Sequence, residues 1–250
     1  MNQKATKDLL NLGLAEYFTY PKGADFILKI IQHSMNKDEL ILDFFSGSST
    51  TAHAVMQLNA QDDGNRKFIM VQIPENTDEK SESYKAGYKN ICEIGKERIR
   101  RAGAKILEDN KDKDLSSLDI GFRVLKVDSS NMKDVYYHPN EIKQNQLKMF
   151  ETNIKEDRSD LDLLFSIMLD LGICLDLKIT TKIIDDKKLY FIENSELIVC
   201  FEENITLKII EAIKEEKPYK VVLKDGCFAN DTQKINAILE LSLISQISVI

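Results

Sequence analysis

The stretch ILDFFSGSSTTAHAV, residues 41–55, restricts the possible folds of this chain more than any other part of the sequence. An apolar run of strand length, ELILDFF, ends there in a turn of small residues, and a helical pattern with Ala54, Val55 and Leu58 follows at once. After the loop-like stretch AQDDGN, the run RKFIMVQI predicts a second strand. Because the crossover between the two strands is long enough to contain a helix, we predict that they pair in parallel within an α/β sheet.

Two α/β regions are predicted, with a boundary at residues 109–119. The segment DNKDKDLSSLD at that position is charged and has few apolar residues, as is typical of a linker. In residues 1–108, one helix is expected after Pro21 and a second, amphipathic one in YKAGYKNICEIGKERIRRAGAKILED. In residues 120–250 the patterns predict a strand in FRVLKVD, helices in PNEIKQNQLKMFETNIK, SDLDLLFSIMLDLG, ITLKIIEAIKEE and DTQKINAILELS, a hairpin in LYFIENSELIVCF, and strands in YKVVLKD and ISVI.

Composition and charge exclude several classes of protein. With 43% hydrophobic and 30% charged residues, the chain has the composition of a soluble globular protein. No apolar run approaches the roughly 20 residues that span a bilayer, and the start lacks a secretory signal, so we expect a cytoplasmic location and no membrane partner. A net charge of −7 argues against coating of nucleic acid by bulk electrostatics. The four cysteines and three histidines lack metal-site spacing, and the cysteines are expected to be buried free thiols.

The turn after the first strand has the chemistry of a ligand site. A tight turn between a strand and a helix presents free backbone N–H groups at the carboxyl end of the strand, where open α/β sheets bind ligands. Small residues at 46–49 let a bulky ligand approach the main chain, and the Asp43 carboxylate accepts hydrogen bonds from an ammonium group or water. No lysine precedes Thr50, so the turn does not match the P-loop that binds nucleoside triphosphates. It also matches the GxGxxG pattern poorly, so the sequence gives little support for dinucleotide binding. The alternative is that these residues only form a turn and a helix N-cap.

The motif LDFFSGSSTTAHAV resembles the cofactor-binding motif of the amino-group DNA methyltransferases, whose family form is DxFxGxGTT followed by a helix that begins with small residues. The segments YFTYPKGADFILKII, GNRKFIMVQIPE and YKNICEIGKERIRRA are similar, more particularly, to the modification subunit of type III restriction-modification systems. This resemblance implies an α/β fold: a Rossmann-like S-adenosylmethionine-dependent methyltransferase sheet, incomplete here, with a smaller α/β C-terminal region.

The resemblance also implies roles for individual residues around S-adenosylmethionine. Pro21 and Lys22 match the segment that closes over the cofactor, and Asp43 would face the methionine ammonium. Gln72 and Glu75 would lie near the ribose, where the second strand ends. The cofactor loop after Asp43 would consist of Phe44, Phe45, Ser46, Gly47, Ser48, Ser49, Thr50 and Thr51.

Two residues depart from the family pattern. Ser49 replaces the second glycine of the motif, which matters if that position requires a positive φ. Gln72 stands at the end of the second strand in place of an acid, which leaves Glu75 as the nearest carboxylate. Because a neutral amide still hydrogen-bonds a ribose hydroxyl, the change at Gln72 is expected to be the milder of the two.

A larger departure is the absence of the catalytic motif. Methylation of adenine in this family depends on a DPPY-type motif that holds a flipped-out base, but none of the four prolines here is adjacent to another. The chain therefore looks like the C-terminal portion of a longer enzyme. An isolated piece, a split gene and a truncated reading frame are three origins that the sequence does not distinguish. We expect an exposed strand edge with apolar surroundings, and hence self-association or a partner chain that supplies the catalytic half or is a second modification subunit. DNA, through the full-length enzyme, and the restriction subunit are the other partners that the resemblance implies.

Two alternative functions remain open from the sequence. One is a non-catalytic scaffold that dimerises or binds the restriction subunit and has a degenerate cofactor site. The other is an unrelated small-molecule methyltransferase, which would need a catalytic residue elsewhere. His53 is interpreted as a packed or capping residue, and the cluster KERIRR as the solvated C-terminal end of a helix.

Overall fold

The structure is a computed structural model that describes residues 3–133 and 154–250. The chain divides into two compact units, residues 1–123 and 124–250. This division lies just beyond the segment 109–119 that the sequence marks as a linker, and Leu115 and Leu118 of that segment pack against the core of the first unit. Within the described part of the chain, no helix is long and apolar enough to cross a membrane.

The first unit consists of five helices and two strands. The bounds are α1 Gln3–Asn11, α2 Ala24–Ser34, β1 Leu40–Asp43, α3 Thr50–Asp62, β2 Lys67–Met70, α4 Glu82–Lys85 and α5 Ile91–Asp109. The strands β1 and β2 pair in parallel, with Leu40 opposite Lys67 and Asp43 opposite Met70. This confirms the predicted strand–turn–helix–strand unit and its parallel connection.

Helix α3 lies at the centre of this unit because it is buried on nearly every side. Its residues Ala52 and Met56 belong to a core cluster shared with α1 and α5, whereas Val55 and Leu58 pack with Ile31 of α2. Small side chains let neighbouring helices approach closely, which suits the alanine-rich sequence of α3. The turn that leads into α3 is therefore attached to a rigid element.

One face of the β1–β2 sheet carries exposed apolar side chains. Leu40 and Leu42 of β1 are 56% and 47% exposed, and Ile69 of β2 is 47% exposed, whereas the alternate residues Ile41 and Phe68 pack against the helices. Parallel strands normally have both faces covered. The exposure continues into the segments after the strands, at Phe44, Phe45, Val71 and Ile73.

In its described residues, the second unit is a five-stranded mixed sheet with helices. Its elements are α6 Asp160–Asp170, β3 Ile179–Ile184, β4 Lys187–Ile192, β5 Leu197–Cys200, α7 Leu207–Glu216, β6 Lys220–Leu223, a short 3₁₀ turn Asp225–Cys227, α8 Asp231–Ser242 and β7 Gln246–Val249. The strand order is β3-β4-β5-β6-β7. The pairs β3–β4 and β4–β5 are antiparallel, and β5–β6 and β6–β7 are parallel. These elements confirm the predicted hairpin, which is β4 and β5, and the mixed α/β class. They also confirm the predicted helices α6, α7 and α8 and the predicted strands β6 and β7.

Several sequence predictions for this region were wrong or fall outside the described residues. The segment FRVLKVD is irregular and is not a strand; Phe122 packs against the core of the first unit, but Val124, Leu125 and Val127 are exposed. Strand β3 was missed because its middle residues are polar and exposed. The helix predicted in PNEIKQNQLKMFETNIK lies almost entirely in residues that the structure does not describe. Cys200 and Cys227 are buried, as expected, but Cys174 is exposed.

Candidate functional site

The candidate site is the turn between β1 and α3, at the carboxyl ends of the two parallel strands. Ser46 N–H donates to the carbonyl of Val71 after β2 at 3.1 Å, and Ser49 N–H donates to the carbonyl of Ser46 at 2.7 Å. Gly47 and Ser49 both have a positive φ, of 51° and 58°. The turn is thus tied to both strands and reverses the chain within a few residues before α3 begins at Thr50.

Asp43, the last residue of β1, fixes the turn from within. One carboxylate oxygen accepts the backbone N–H of Phe45 at 3.1 Å, and the other accepts the hydroxyl of Thr51 at 2.6 Å. A carboxylate has more acceptor positions than these two contacts use. Asp43 is half-buried, so its orientation is fixed while an approaching donor can still reach it.

Gln72 links the end of the second strand to the same turn. Its side-chain oxygen accepts the N–H of Gly47 at 2.8 Å, and its side-chain nitrogen donates to the carbonyl of Ile73 at 3.1 Å. The amide that the resemblance places near a ribose therefore already has protein partners at both ends. In this structure Gln72 shapes the turn.

The other residues that the sequence singled out surround this turn with different degrees of exposure. Lys22 has an exposed side chain, and its carbonyl accepts the hydroxyl of Thr50 at 3.5 Å; the neighbouring Pro21 is half-buried. Phe44 and Phe45 are 63% and 86% exposed. Ser46, Ser48, Ser49, Thr50 and Thr51 are buried. Glu75 is exposed, and its carbonyl accepts the N–H of Ile91 at the start of α5, at 2.9 Å.

Arg98 of α5 lies beneath the turn. This residue was not singled out from the sequence. Its side chain is completely buried, and one guanidinium nitrogen, Nη1, donates to the hydroxyls of Ser48 and Thr50, both at 2.7 Å. Burial lowers the pKa of Arg98 to about 10, against a smaller opposing effect of the Asp8 charge, so the guanidinium stays protonated at neutral pH. A signal was present in the sequence: Arg98 follows Ile94 by one helical turn and lies on the same apolar side.

The interpretation of KERIRR as a helix end was wrong, because α5 continues to Asp109. The other cations of this cluster are paired on the surface of α5. Lys96 contacts Glu93 at 2.6 Å, and Arg101 contacts Glu97 at 2.7 Å. Such exposed pairs contribute little to stability, and they leave Arg98 as the buried cation of the cluster.

Gly95, one turn before Arg98, makes room for the turn. A Cβ atom at Gly95 would lie 2.6 Å from the Ser49 hydroxyl oxygen and 3.3 Å from the Gly47 carbonyl oxygen. Ser49 occupies the N-cap position of α3 but its side chain makes no capping hydrogen bond. Ser49 therefore does not act as the side-chain N-cap that the sequence allowed for this turn. Its side chain packs against α5 instead.

His53 lies in the first turn of α3 as a packed residue. Its Nδ1 atom is buried and has no hydrogen-bond partner among the residues described. Burial, and then the charge of Arg98, lower the pKa of His53 to about 4. The imidazole is consequently neutral at pH 7, and its surroundings disfavour the protonated form that a general base must adopt during a reaction.

The part of the chain that contains this turn is similar to known DNA methylases. The sequence model of the N6/N4 DNA methylase family matches residues 1–100. The Mod subunit of the type III restriction-modification enzyme StyLTI from Salmonella typhimurium is 42% identical over 122 residues, which is 49% of this chain and 18% of the relative. The Mod subunit of the EcoPI enzyme from Escherichia phage P1 is 41% identical over 123 residues, again 18% of the relative. The type II methyltransferase M.KpnI from Klebsiella pneumoniae is 37% identical over 92 residues, or 22% of its length.

Residues 1–100 are therefore similar in sequence to the DNA methylase family. More particularly, about half of the chain is similar to the modification subunits of type III restriction-modification systems, which confirms the resemblance stated from the sequence. The matched region covers only 18% of the length of these two Mod subunits.

Proposed function

We propose that residues 1–123 are the cofactor-binding part of an adenine-specific DNA methyltransferase of a type III restriction-modification system. In this proposal S-adenosylmethionine binds on the turn of residues 43–51. The observation that carries the proposal is the turn itself, which lies at the ends of two parallel strands and holds the Asp43 carboxylate in a fixed orientation by two hydrogen bonds.

The chemistry of the turn fits the groups of this cofactor. The Asp43 carboxylate suits the methionine ammonium, and the first turn of α3 has N–H groups without intrahelical partners, which suits the methionine carboxylate. Gly47 has a positive φ, which a residue without a side chain adopts without strain, so the tight turn can form there. The exposed rings of Phe44 and Phe45 offer apolar contact to the nucleoside. Bound S-adenosylmethionine would supply the activated methyl group, whereas the chain binds and orients it.

Ser49 is compatible with this role. Its backbone has a positive φ, which glycine adopts without strain, at the position where the family motif has glycine. Ser49 is 4% exposed, and its hydroxyl lies beside Gly95 of α5. The hydroxymethyl group therefore occupies space in the protein core and leaves the outer side of the turn clear. The cost of a non-glycine residue in this conformation is about 1 kcal/mol, which packing of the side chain partly offsets.

In this proposal the chain binds the methyl donor, and another polypeptide segment is needed to bind the base. The sequence of the chain has no adjacent prolines and so no DPPY motif. The described part of the first unit has only two parallel strands, which in this proposal belong to an incomplete Rossmann-like sheet. We propose that the exposed face around Leu42 and Ile69 is covered by the catalytic half or by a second modification subunit. DNA and the restriction subunit would then be partners of that complete assembly.

The function is tested by isothermal titration of the 250-residue chain with S-adenosylmethionine and, separately, S-adenosylhomocysteine. Saturable binding of both at one site per chain is the expected result, because the turn is held by contacts within the first unit alone. A chain with native circular dichroism and no heat of binding for either compound would contradict the proposed cofactor site.

The second candidate function is a scaffold that dimerises or binds the restriction subunit, and the exposed sheet face favours it. We expect the chain to self-associate at tens of micromolar in light scattering, because exposed apolar patches on parallel sheets are otherwise unusual. The double variant Leu42→Thr with Ile69→Thr should lower the association, since threonine keeps the strand propensity but removes apolar area. Leu10→Gln, which replaces a 67% exposed leucine of α1, is the matched control and should associate like the parent. A parent chain that is monodisperse and monomeric at that concentration would refute the expected self-association.

A further inference from the structure

Arg98 differs from the other buried arginine of the first unit in how its charge is used. Arg66 is 6% exposed and forms two contacts with the carboxylate of Asp62, at 2.9 Å and 3.0 Å. Arg98 is 0% exposed and donates only to two neutral hydroxyls, while its Nε and Nη2 atoms have no hydrogen-bond partner among the residues described. A buried guanidinium that makes no hydrogen bond to a carboxylate is unfavourable for folding, and an apolar residue of similar volume is often at least as stable there.

The contacts of Arg98 all lead to the candidate cofactor turn. Its Nη1 atom bridges Ser48 in the turn and Thr50 at the start of α3. The Thr50 hydroxyl in turn reaches the carbonyl of Lys22, at 3.5 Å, in the segment before α2. Arg98 therefore joins three separate pieces of chain from the inner side of the site: α5, the turn and the segment around Lys22.

We propose that Arg98 is a positioning residue for the cofactor site. Its guanidinium holds the hydroxyls of Ser48 and Thr50, and through them it keeps the backbone of residues 44–51 in the shape that receives S-adenosylmethionine. Arg98 is too deeply buried to contact the ligand. This inference rests on the proposed function for the identity of the ligand, but the ordering of the turn can be measured without any ligand.

The test compares Arg98→Met with Arg66→Met, because both variants replace a buried arginine of the same unit with an unbranched apolar side chain. Hydrogen exchange read by mass spectrometry would follow the amides of residues 44–51, of which those of Phe45, Ser46, Gly47 and Ser49 are hydrogen-bonded in the parent. We expect Arg98→Met to accelerate their exchange about tenfold or more, since the variant loses both charged hydrogen bonds, one to the Ser48 hydroxyl and one to the Thr50 hydroxyl. Arg66→Met should leave exchange in this segment unchanged.

Cofactor affinity provides a second readout. Arg98→Met should raise the dissociation constant for S-adenosylmethionine about tenfold or more, and Arg66→Met should not. In a Ser48→Ala, Thr50→Val background, the further change Arg98→Met should have a clearly smaller effect, because the groups through which it acts are gone. This background also tests the inference if Arg98→Met does not fold, since the double variant alone should loosen the same amides.

Three results would overturn the inference. They are unchanged exchange in residues 44–51 of a folded Arg98→Met variant, equal loosening of that segment by Arg66→Met, and additivity of Arg98→Met with the Ser48 and Thr50 changes. If the parent chain fails to bind S-adenosylmethionine, the proposed function fails, but the exchange comparison still decides the role of Arg98 in ordering the turn.

Discussion

Gly95→Ala is expected to destabilise the first unit by about 2 kcal/mol, because the new methyl group overpacks the contact between α5 and the turn. Its Cβ would lie 2.6 Å from the Ser49 hydroxyl oxygen and 3.3 Å from the Gly47 carbonyl oxygen. The turn is held in place because Gln72 accepts the Gly47 N–H and Arg98 donates to the Ser48 hydroxyl. In an exposed helix interior the same substitution stabilises by roughly 1 kcal/mol. In urea unfolding with an unchanged m-value, a lower midpoint for Gly95→Ala would show that α5 packs closely against the turn, and a higher midpoint would show that it does not.

Ser49→Gly provides the matched control for this substitution. It removes the hydroxyl oxygen at 2.6 Å, and only the contact of 3.3 Å with the Gly47 carbonyl would remain. We expect Gly95→Ala to cost much less in the Ser49→Gly background than in the parent, because the Ser49 oxygen that the new methyl group would meet at 2.6 Å is gone. Equal costs in the two backgrounds, or a stabilising Gly95→Ala in the parent, would show that Ser49 and Gly95 do not interact as described.

The elements around the turn were predictable because their patterns are local. The run ELILDFF, the small residues after it and the helix that follows each have a strong sequence preference for one structure, and together they fix a parallel crossover. The described elements of the second unit from Asp160 onwards also followed their patterns, apart from β3. That strand has polar residues such as Thr181 and Lys182 in its middle and is recognisable only through its pairing with β4.

The predictions that went wrong depend on tertiary contacts. The alternation in FRVLKVD has no sheet beside it, and Val127 is fully exposed. Arg98 was grouped with its charged neighbours because charge suggests a surface position, although its place on α5 lies on the apolar side with Ile94. An arginine in an apolar stripe can be buried only if nearby segments supply hydrogen-bond acceptors. Here the acceptors are the hydroxyls of Ser48 and Thr50.

The sequence predicted that the candidate site residues lie in one turn after β1, but it did not predict their individual contacts. The motif located Asp43 and the small residues of the turn, whereas the partners of Gln72 became visible only in three dimensions. Its amide is committed to Gly47 and Ile73 within the protein. A single substitution in the motif, such as Ser49 for glycine, was likewise open to interpretation until the position of Gly95 was known.

Asp43→Ala is expected to weaken binding of S-adenosylmethionine more than about a hundredfold, close to 3 kcal/mol, since a hydrogen-bonded charge on the ligand loses its partner. The substitution also removes the acceptors of the Phe45 N–H and the Thr51 hydroxyl, so the turn itself would loosen. Isothermal titration of the variant and the parent measures the combined effect.

Asp43→Asn separates the charge of Asp43 from its structural role. The amide oxygen can still accept the Phe45 N–H, and the Thr51 hydroxyl can rotate to accept the amide N–H, so the turn should keep its shape. We expect about tenfold weaker binding of S-adenosylmethionine and unchanged binding of 5′-methylthioadenosine, which lacks the ammonium group. Equal losses for the two ligands would mean that Asp43 acts only by shaping the turn. Undiminished binding of S-adenosylmethionine to Asp43→Asn and Asp43→Ala would place the cofactor elsewhere on the chain.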